Sequence, residues 1–148
     1  MALKDQIRDD MKAAMRAGEK DRLSVIRMLL AAIQQREIDE REDLDDSAVM
    51  QVVEKLIKQR RDSAQQYADA GRADREQQEL GEAELLATYL PEQLSDEAIN
   101  ELLDAVLAET GAASMKDMGK VMAELRNRAQ GQADMGKLSG IVKQRLAG

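Results

Sequence analysis

The stretch LLATYLPEQLSDEAI, Leu85–Ile99, decides how the chain is divided. It begins as the apolar end of a helical pattern, and Pro91, the only proline in the sequence, stops that helix because proline has no backbone N–H to donate. Ser95 then offers an oxygen to free backbone N–H groups, and two acidic residues follow where a helix N-terminus favours negative charge. We therefore predict an N-terminal domain of residues 1–91 and a C-terminal domain of residues 92–148.

Upstream of this boundary, apolar residues recur with the helical period of about 3.6 residues in four segments. The segments cover residues 2–17, residues from Asp21 into the acidic run Glu37–Asp46, residues from a cap at Asp46 or Ser47 to Ala70, and residues from Arg72 to Leu90. The acidic run lacks the glycine and the oxygen-ligand spacing of a calcium-binding loop. Because runs of charge usually lie at the surface, we interpret it as a solvated hinge.

Downstream of the boundary, three shorter apolar stripes follow with the same period. Helix five ends before Gly111, and Ser114 with Asp117 three residues later forms a capping-box pattern for helix six. Gly131 ends that helix, and Asp134 provides the cap of helix seven. The apolar residues are almost entirely Leu, Ile, Val, Met and Ala, a set that favours helices. The sequence therefore predicts an all-α fold, with about four helices in the N-terminal domain and three in a small C-terminal domain.

The 148-residue chain contains no histidine and no cysteine, which excludes most familiar hydrolytic machinery and leaves carboxylates, lysines or a Ser-Lys pair as catalytic options. Without imidazole there is no Ser-His-Asp triad and no histidine ligand for zinc or iron, and without a thiol there is no cysteine nucleophile. A glycine-rich loop of the P-loop type is also missing from the sequence. We predict no catalytic residue, no metal site and no cofactor.

The hydropathy pattern bears on location. The first ten residues, MALKDQIRDD, become polar too early for a secretory signal peptide. No segment approaches the roughly 18 consecutive apolar residues that a transmembrane helix needs. These two features predict a cytoplasmic protein with no membrane partner.

Charge is unevenly distributed in the C-terminal half of a chain whose formal net charge is −7. Residues 92–109 contain six acidic and no basic residues, whereas residues 110–148 contain seven basic and three acidic residues, so a segment of charge −6 precedes one of charge +4. A locally basic surface on an acidic protein suits a module that contacts a few phosphates without coating nucleic acid. Basic residues near helix C-termini also complement the helix dipole, an alternative explanation for four of them: Arg126, Arg128, Lys143 and Arg145.

The tetrapeptide Asp-Met-Gly-Lys occurs in both of the last two helices, although glycine costs about 1 kcal/mol against alanine inside a helix. Gly119 precedes Ala123 by four residues and Gly136 precedes Gly140 by four, so each pair forms a strip without bulky side chains. The explanation we favour is that the two helices pack against each other along these strips. The other is an outside ligand, such as a phosphate held at Gly136 by backbone N–H groups and the Lys137 ammonium.

Three stretches carry a resemblance to a known family: YLPEQLSDEAI, MKDMGKVMAEL and GQADMGKLSGIVKQRL. With them, the chain resembles a free-standing member of the GatB/YqeY family over nearly its full length. The resemblance implies a helical N-terminal domain and a C-terminal domain similar to the tail of the B subunit of tRNA-dependent amidotransferases, which helps to hold tRNA. The kinase and transamidase chemistry of those enzymes belongs to a larger domain that this chain lacks.

The resemblance implies that Gly119, Lys120, Gly136 and Lys137 face RNA. The remaining candidate RNA-binding residues are the basic side chains of the same region, Lys116, Arg126, Arg128 and Lys143. We therefore predict a tRNA-binding accessory module that docks on tRNA or on a tRNA-charging or amidating enzyme and is not catalytic by itself. The family label of carbon–nitrogen ligase with glutamine as amido-N-donor then describes the enzymes it resembles.

A protein-interaction adaptor is the alternative function. The long acidic helices of the N-terminal domain would present its surface, and nine methionines would provide adaptable apolar contacts. RNA binding should depend on ionic strength and on the basic C-terminal helices, whereas an adaptor should keep its protein partner after nuclease treatment. The sequence leaves the oligomeric state open.

Overall fold

The computed structural model describes residues 2–147, which form seven α-helices, one short 3-10 turn and no strand. The all-α prediction is confirmed. The helices are α1 Leu3–Ala17, α2 Lys20–Glu40, α3 Asp46–Asp69, α4 Ala73–Ala87, α5 Asp96–Thr110, α6 Met118–Ala129 and α7 Met135–Ala147, with the 3-10 turn Met115–Asp117 leading into α6. Met1 and Gly148, the outer ends of the two predicted domains, lie outside the described residues.

The contacts divide the chain into two compact units, the first ending at Leu90 and the second beginning at Pro91. Helices α1–α4 form the first unit and α5–α7 the second. Each unit buries its own set of aliphatic side chains, and no buried residue of residues 2–147 is polar or charged. Each fully buried Leu, Ile or Val contributes about 1.5–3 kcal/mol, so burial in the two cores is the dominant favourable term in folding.

The first unit is held together by the stripes that the helical period predicts. Its fully buried large side chains are Ile7, Ile26, Leu29, Ile33, Val49, Val53 and Leu86. Gly18 adopts the left-handed conformation, with φ 70°, that ends α1 and lets the chain reverse into α2. Both α1–α2 and α3–α4 form helical hairpins, because the two helices of each pair are joined by a short turn and pack together.

The acidic run Glu37–Asp46 is exposed over most of its length, but it is anchored at Glu37 and Leu44. Helix α2 continues to Glu40, and the Glu37 carboxylate accepts hydrogen bonds from Lys4 Nζ at 2.6 Å and from the Leu44 backbone N–H at 2.9 Å. These two hydrogen bonds, the one from Lys4 first, hold the pKa of Glu37 below its ordinary value. Leu44 itself is only 7% exposed. Most residues of the run are exposed, as predicted, and the buried Leu44 anchors the loop between α2 and α3 to the core.

The cap of α3 is one residue earlier than predicted. The Asp45 side chain accepts a hydrogen bond from the Ala48 backbone N–H at 2.8 Å, which makes Asp45 the N-cap. The Asp46 carboxylate instead accepts from the Leu3 backbone N–H at 2.9 Å, at the start of α1. The two consecutive aspartates thus cap two different helices. The local sequence does not show which aspartate caps which helix.

Tyr89 joins the end of the first unit to its first helix. The side chain is 7% exposed, and its hydroxyl donates a hydrogen bond to Asp10 Oδ2 at 2.7 Å. Burial first, and then the hydrogen bond to the Asp10 carboxylate, raise the pKa of Tyr89 above its ordinary value. The neutral hydroxyl is therefore the form that the fold stabilises.

Replacing this residue, Tyr89→Phe, is expected to lower the free energy of unfolding by about 1–2 kcal/mol at neutral pH, because the Asp10 carboxylate loses its donor. The pKa of Tyr89 is raised on folding, so its contribution is complete below pH ~10 and is lost as the pH rises towards the folded-state pKa. Urea unfolding at neutral and alkaline pH measures this. The parent should lose more stability above pH ~10 than the variant, and equal losses would contradict the assignment.

The second unit begins with the turn that carries the family resemblance. The Leu94 backbone N–H donates to Gln132 O at 2.8 Å, and the Gln93 side chain donates to Gly131 O at 2.6 Å. The Ser95 side chain accepts from the Ala98 backbone N–H at 3.1 Å and caps α5 as predicted. The residues between Pro91 and Ser95 are therefore fixed against the turn that separates α6 from α7.

Candidate nucleic-acid interface

The two Asp-Met-Gly-Lys segments begin α6 and α7, and each aspartate holds its helix start. Asp117 forms the predicted capping box with Ser114, whose backbone N–H donates to Asp117 Oδ2 at 3.3 Å. The hydrogen bond from the Ala113 backbone N–H, and then the one from Ser114, hold the pKa of Asp117 below its ordinary value. Asp134 accepts at Oδ1 from the Gly136 backbone N–H at 2.8 Å. Asp117 therefore holds the start of the 3-10 turn that leads into α6, whereas Asp134 caps α7 directly.

The two lysines of these segments reach opposite ends of α5. Lys120 Nζ donates to the Thr110 carbonyl oxygen at 3.2 Å, at the C-terminal end of α5 where free carbonyl groups collect. Lys137 Nζ lies 3.1 Å from Asp96 Oδ1 in the first turn of that helix. The repeated tetrapeptide thus ties both following helices to α5.

Two arginines complete this set of contacts with α5. Arg128 pairs with Glu109 and, on its own helix, with Glu124, while Arg145 pairs with Asp104. Arg128 holds the pKa of Glu109 below its ordinary value through their hydrogen bond. The acidic segment and the basic segment therefore neutralise each other in large part. The expected separate positive surface on α6 and α7 is smaller than the count of charges indicates.

The equal spacing of charges was a sequence signal for these pairs. Asp96 and Asp104 are eight residues apart on α5, and their partners Lys137 and Arg145 are eight residues apart on α7. Matching separations on two helices allow both pairs to form at once. The prediction of two separate charged surfaces did not take these ion pairs into account.

Apart from Lys120, which is engaged by the Thr110 carbonyl oxygen, three of the predicted basic residues make no ion pair within residues 2–147, namely Lys116, Arg126 and Lys143. All three side chains are exposed. They carry the positive charge of the second unit that remains available to an outside anion.

The glycine strips are open to solvent. Gly119, Ala123, Gly136 and Gly140 are all exposed. A Cβ added at Gly119 or Gly140 would meet nothing within 4 Å, and one added at Gly136 would meet only the Asp134 carboxylate, at 3.2 Å. The explanation that α6 and α7 pack against each other along the strips is therefore wrong, because a packed strip would have a neighbour at that distance.

Each open strip leads to an unpaired cation on the same helix face. Arg126 follows Gly119 and Ala123, and Lys143 follows Gly136 and Gly140, in each case three residues after the second small residue. Residues separated by three or four positions lie on one face of a helix. The arrangement offers close approach to backbone beside a positive charge, which suits a phosphate group.

Residues 2–147 contain neither a metal-binding cluster of acidic side chains nor a membrane-spanning helix. No group of three or more Asp or Glu side chains within residues 2–147 is arranged to hold a metal ion. Across the same residues, no helix combines the length and the apolar character needed to span a lipid bilayer.

Comparisons with known proteins identify relatives for the whole chain. The profile of a family described as Yqey-like protein matches residues 4–146. A protein of Lachancea thermotolerans named "Altered inheritance of mitochondria protein 41, mitochondrial" is 32% identical over 121 residues, which cover 77% of this chain and 65% of the relative. The protein of the same name from Eremothecium gossypii is 38% identical over 85 residues, covering 57% of this chain and 46% of the relative.

These relatives are longer than the matched region and correct one prediction. The chain spans about two thirds or less of the length of these two curated relatives, 65% and 46%. Their names describe mitochondrial proteins, so the prediction of a cytoplasmic location is wrong. A polar N-terminus argues only against a secretory signal peptide. It does not distinguish the cytoplasm from an organelle such as the mitochondrion.

Proposed function

The chain belongs to the YqeY-like family, and from this premise we propose that it is a non-catalytic module that binds tRNA through the second unit. The proposed surface consists of the glycine strips with the basic residues beside them, Lys116, Lys120, Arg126, Arg128, Lys137 and Lys143. The module would serve a tRNA-charging or amidating enzyme, in keeping with the resemblance to the tail of amidotransferase B subunits.

The openness of the glycine strips is the observation that carries this proposal. A glycine in the middle of a helix costs about 1 kcal/mol against alanine, and Gly140 gains no packing contact that would offset this cost. Because glycine has no side chain, it allows an outside molecule to approach the helix backbone closely, which would explain its presence here. A sugar-phosphate backbone is a suitable molecule because the unpaired Lys143 lies on the same face.

Lys120 and Lys137 take part at the edge of the surface. Both are exposed, and the Asp96 partner of Lys137 is exposed as well. Surface ion pairs of this kind are worth only about 0–1 kcal/mol, so an incoming phosphate can replace the partner on α5. The contribution of these two lysines to binding should therefore be smaller than that of the unpaired cations.

The mode of recognition should be contact with the RNA backbone and its shape. The chain has no tryptophan or phenylalanine, and both of its tyrosines, Tyr67 and Tyr89, lie in the first unit. Reading single-stranded bases commonly uses aromatic side chains as stacking platforms. Binding should therefore weaken steeply with salt and depend little on base sequence.

The glycine strip can be tested by filling it. Gly140→Leu is expected to leave the fold intact, because the space beside Gly140 is open, while lowering affinity for bulk tRNA by about tenfold through steric exclusion of the backbone. Fluorescence anisotropy with labelled tRNA at low salt measures the affinity. Gly81→Leu is the matched control, since Gly81 also lies exposed inside a helix with open space beside it, but in the first unit. Equal affinity of both variants would contradict the proposed surface.

A further inference from the structure

A second surface, distinct from the proposed RNA surface, lies in a groove between α1 and α2. The groove has a volume of about 380 Å³. Met11 from α1 and Leu30 from α2 form its floor above the buried Ile33. One wall consists of Lys4, Arg8 and Lys12, which follow one another at intervals of four residues along α1.

The charge of this groove is opposite to that of the whole protein. Three cations and one carboxylate, Glu37, line it, so its formal charge is +2 in a chain of charge −7. Glu37 is already occupied by Lys4 and by a backbone N–H. Arg8 has only a loose pair with Asp5, at 3.7 Å between exposed side chains, and Lys12 makes no ion pair within the described part of the chain. Two cations beside an apolar floor are therefore available to a partner.

We propose that this groove docks an acidic amphipathic helix of a partner protein. Carboxylates at intervals of four residues on such a helix would face the cations of α1, which have the same interval of about 6 Å along the axis. The apolar stripe of the same helix would cover Met11 and Leu30. From Lys4 to Lys12 the wall spans about 12 Å, which corresponds to two turns of a bound helix.

The concave shape favours a helix over a membrane surface as the occupant. An anionic bilayer would contact cations that project from a convex face, together with apolar side chains that insert between lipids. Here the apolar floor lies between two helices, and the cations stand on one side of it. A cylinder of side chains reaches such a floor, whereas a flat surface does not.

The test uses the full chain and a fluorescein-labelled alanine-based peptide of ~14 residues, with Glu at every fourth position and Leu on the adjacent stripe. Fluorescence anisotropy measures binding to the parent and to the double variant Arg8→Glu, Lys12→Glu, with circular dichroism to verify helicity. Lys4 is left in place because it holds Glu37. We expect the double variant to bind the Glu peptide at least about tenfold more weakly than the parent does. It should bind the charge-reversed peptide, which carries Lys in place of Glu, more tightly than the parent does.

The double variant Lys55→Glu, Lys58→Glu makes the same change of charge at exposed positions of α3 and should bind as the parent does. Equal affinities of the parent and the groove variant would overturn the proposal, as would no binding to the parent at peptide concentrations up to about 1 mM. Binding to vesicles of phosphatidylglycerol without binding to the peptide would also overturn it. The tRNA affinity of the groove variant should be unchanged, because its substitutions lie in the other unit.

Discussion

Replacing Leu103 by alanine should lower the free energy of unfolding of the second unit by about 3 kcal/mol, within the usual range for a buried leucine. The Leu103 side chain is fully buried in the core that α5 forms with α6 and α7. The substitution removes its transfer free energy and leaves a cavity that the surrounding side chains fill only in part. The loss of stability should be confined to α5, α6 and α7, which share this core.

Leu29→Ala is the reciprocal change, at an equally buried position of the first unit. Hydrogen exchange read by mass spectrometry separates the two outcomes, since it reports local opening by segment. Leu103→Ala should accelerate exchange in α5–α7 and spare α1–α4, and Leu29→Ala should do the opposite. Equal acceleration throughout the chain after either change would show that the two units unfold as one, against the predicted domain boundary at residues 91–92.

Reversing the charge of Arg126 and Lys143 should reduce affinity for tRNA by more than about tenfold at low salt. Both cations are exposed and unpaired within residues 2–147, so neither change removes an internal ion pair. Loss of two phosphate contacts should also reduce the slope of log affinity against log salt concentration, by close to one for each contact. The variant Arg126→Glu, Lys143→Glu should remain as helical as the parent.

Two controls make this prediction specific. Lys120→Ala with Lys137→Ala should have a smaller effect, because these lysines are engaged with Thr110 and Asp96 in the free protein. Lys55→Glu with Lys58→Glu changes the charge by the same amount as the tested variant but in the first unit, and should bind as the parent does. If this control loses as much affinity as the tested variant, binding follows net charge and has no defined surface.

Helix boundaries were predictable because the signals for them are local. The glycines that end helices and the cap at Ser95 act within a few residues of themselves. The fourth helix, which was predicted to run to Leu90, ends earlier, at Ala87. The burial of Leu44 within the exposed acidic run was not predicted, because a single buried leucine has no periodic pattern around it. The cap of α3 was misplaced because consecutive aspartates are equivalent until the start of α1 is brought beside one of them.

The residues of the candidate site were chosen from the sequence, whereas their ion pairs are known only from the structure. The basic residues of α6 and α7 and the glycine strips were all found from the sequence. Their pairing with α5 depends on tertiary contacts between helices, which a count of charges along the chain does not contain. Whether a glycine strip is covered or open is equally a tertiary property, and the structure leaves these strips open.

The most direct test of the RNA-binding proposal is a map of backbone amide shifts in the ¹⁵N-labelled full chain as bulk tRNA is added at low salt. The proposal predicts that the largest shifts and broadening occur at Gly119, Arg126, Gly136, Gly140 and Lys143, and that they disappear as salt is raised. Shifts confined to residues of α1–α4, or no shifts at tRNA concentrations that exceed those of the protein, would contradict it.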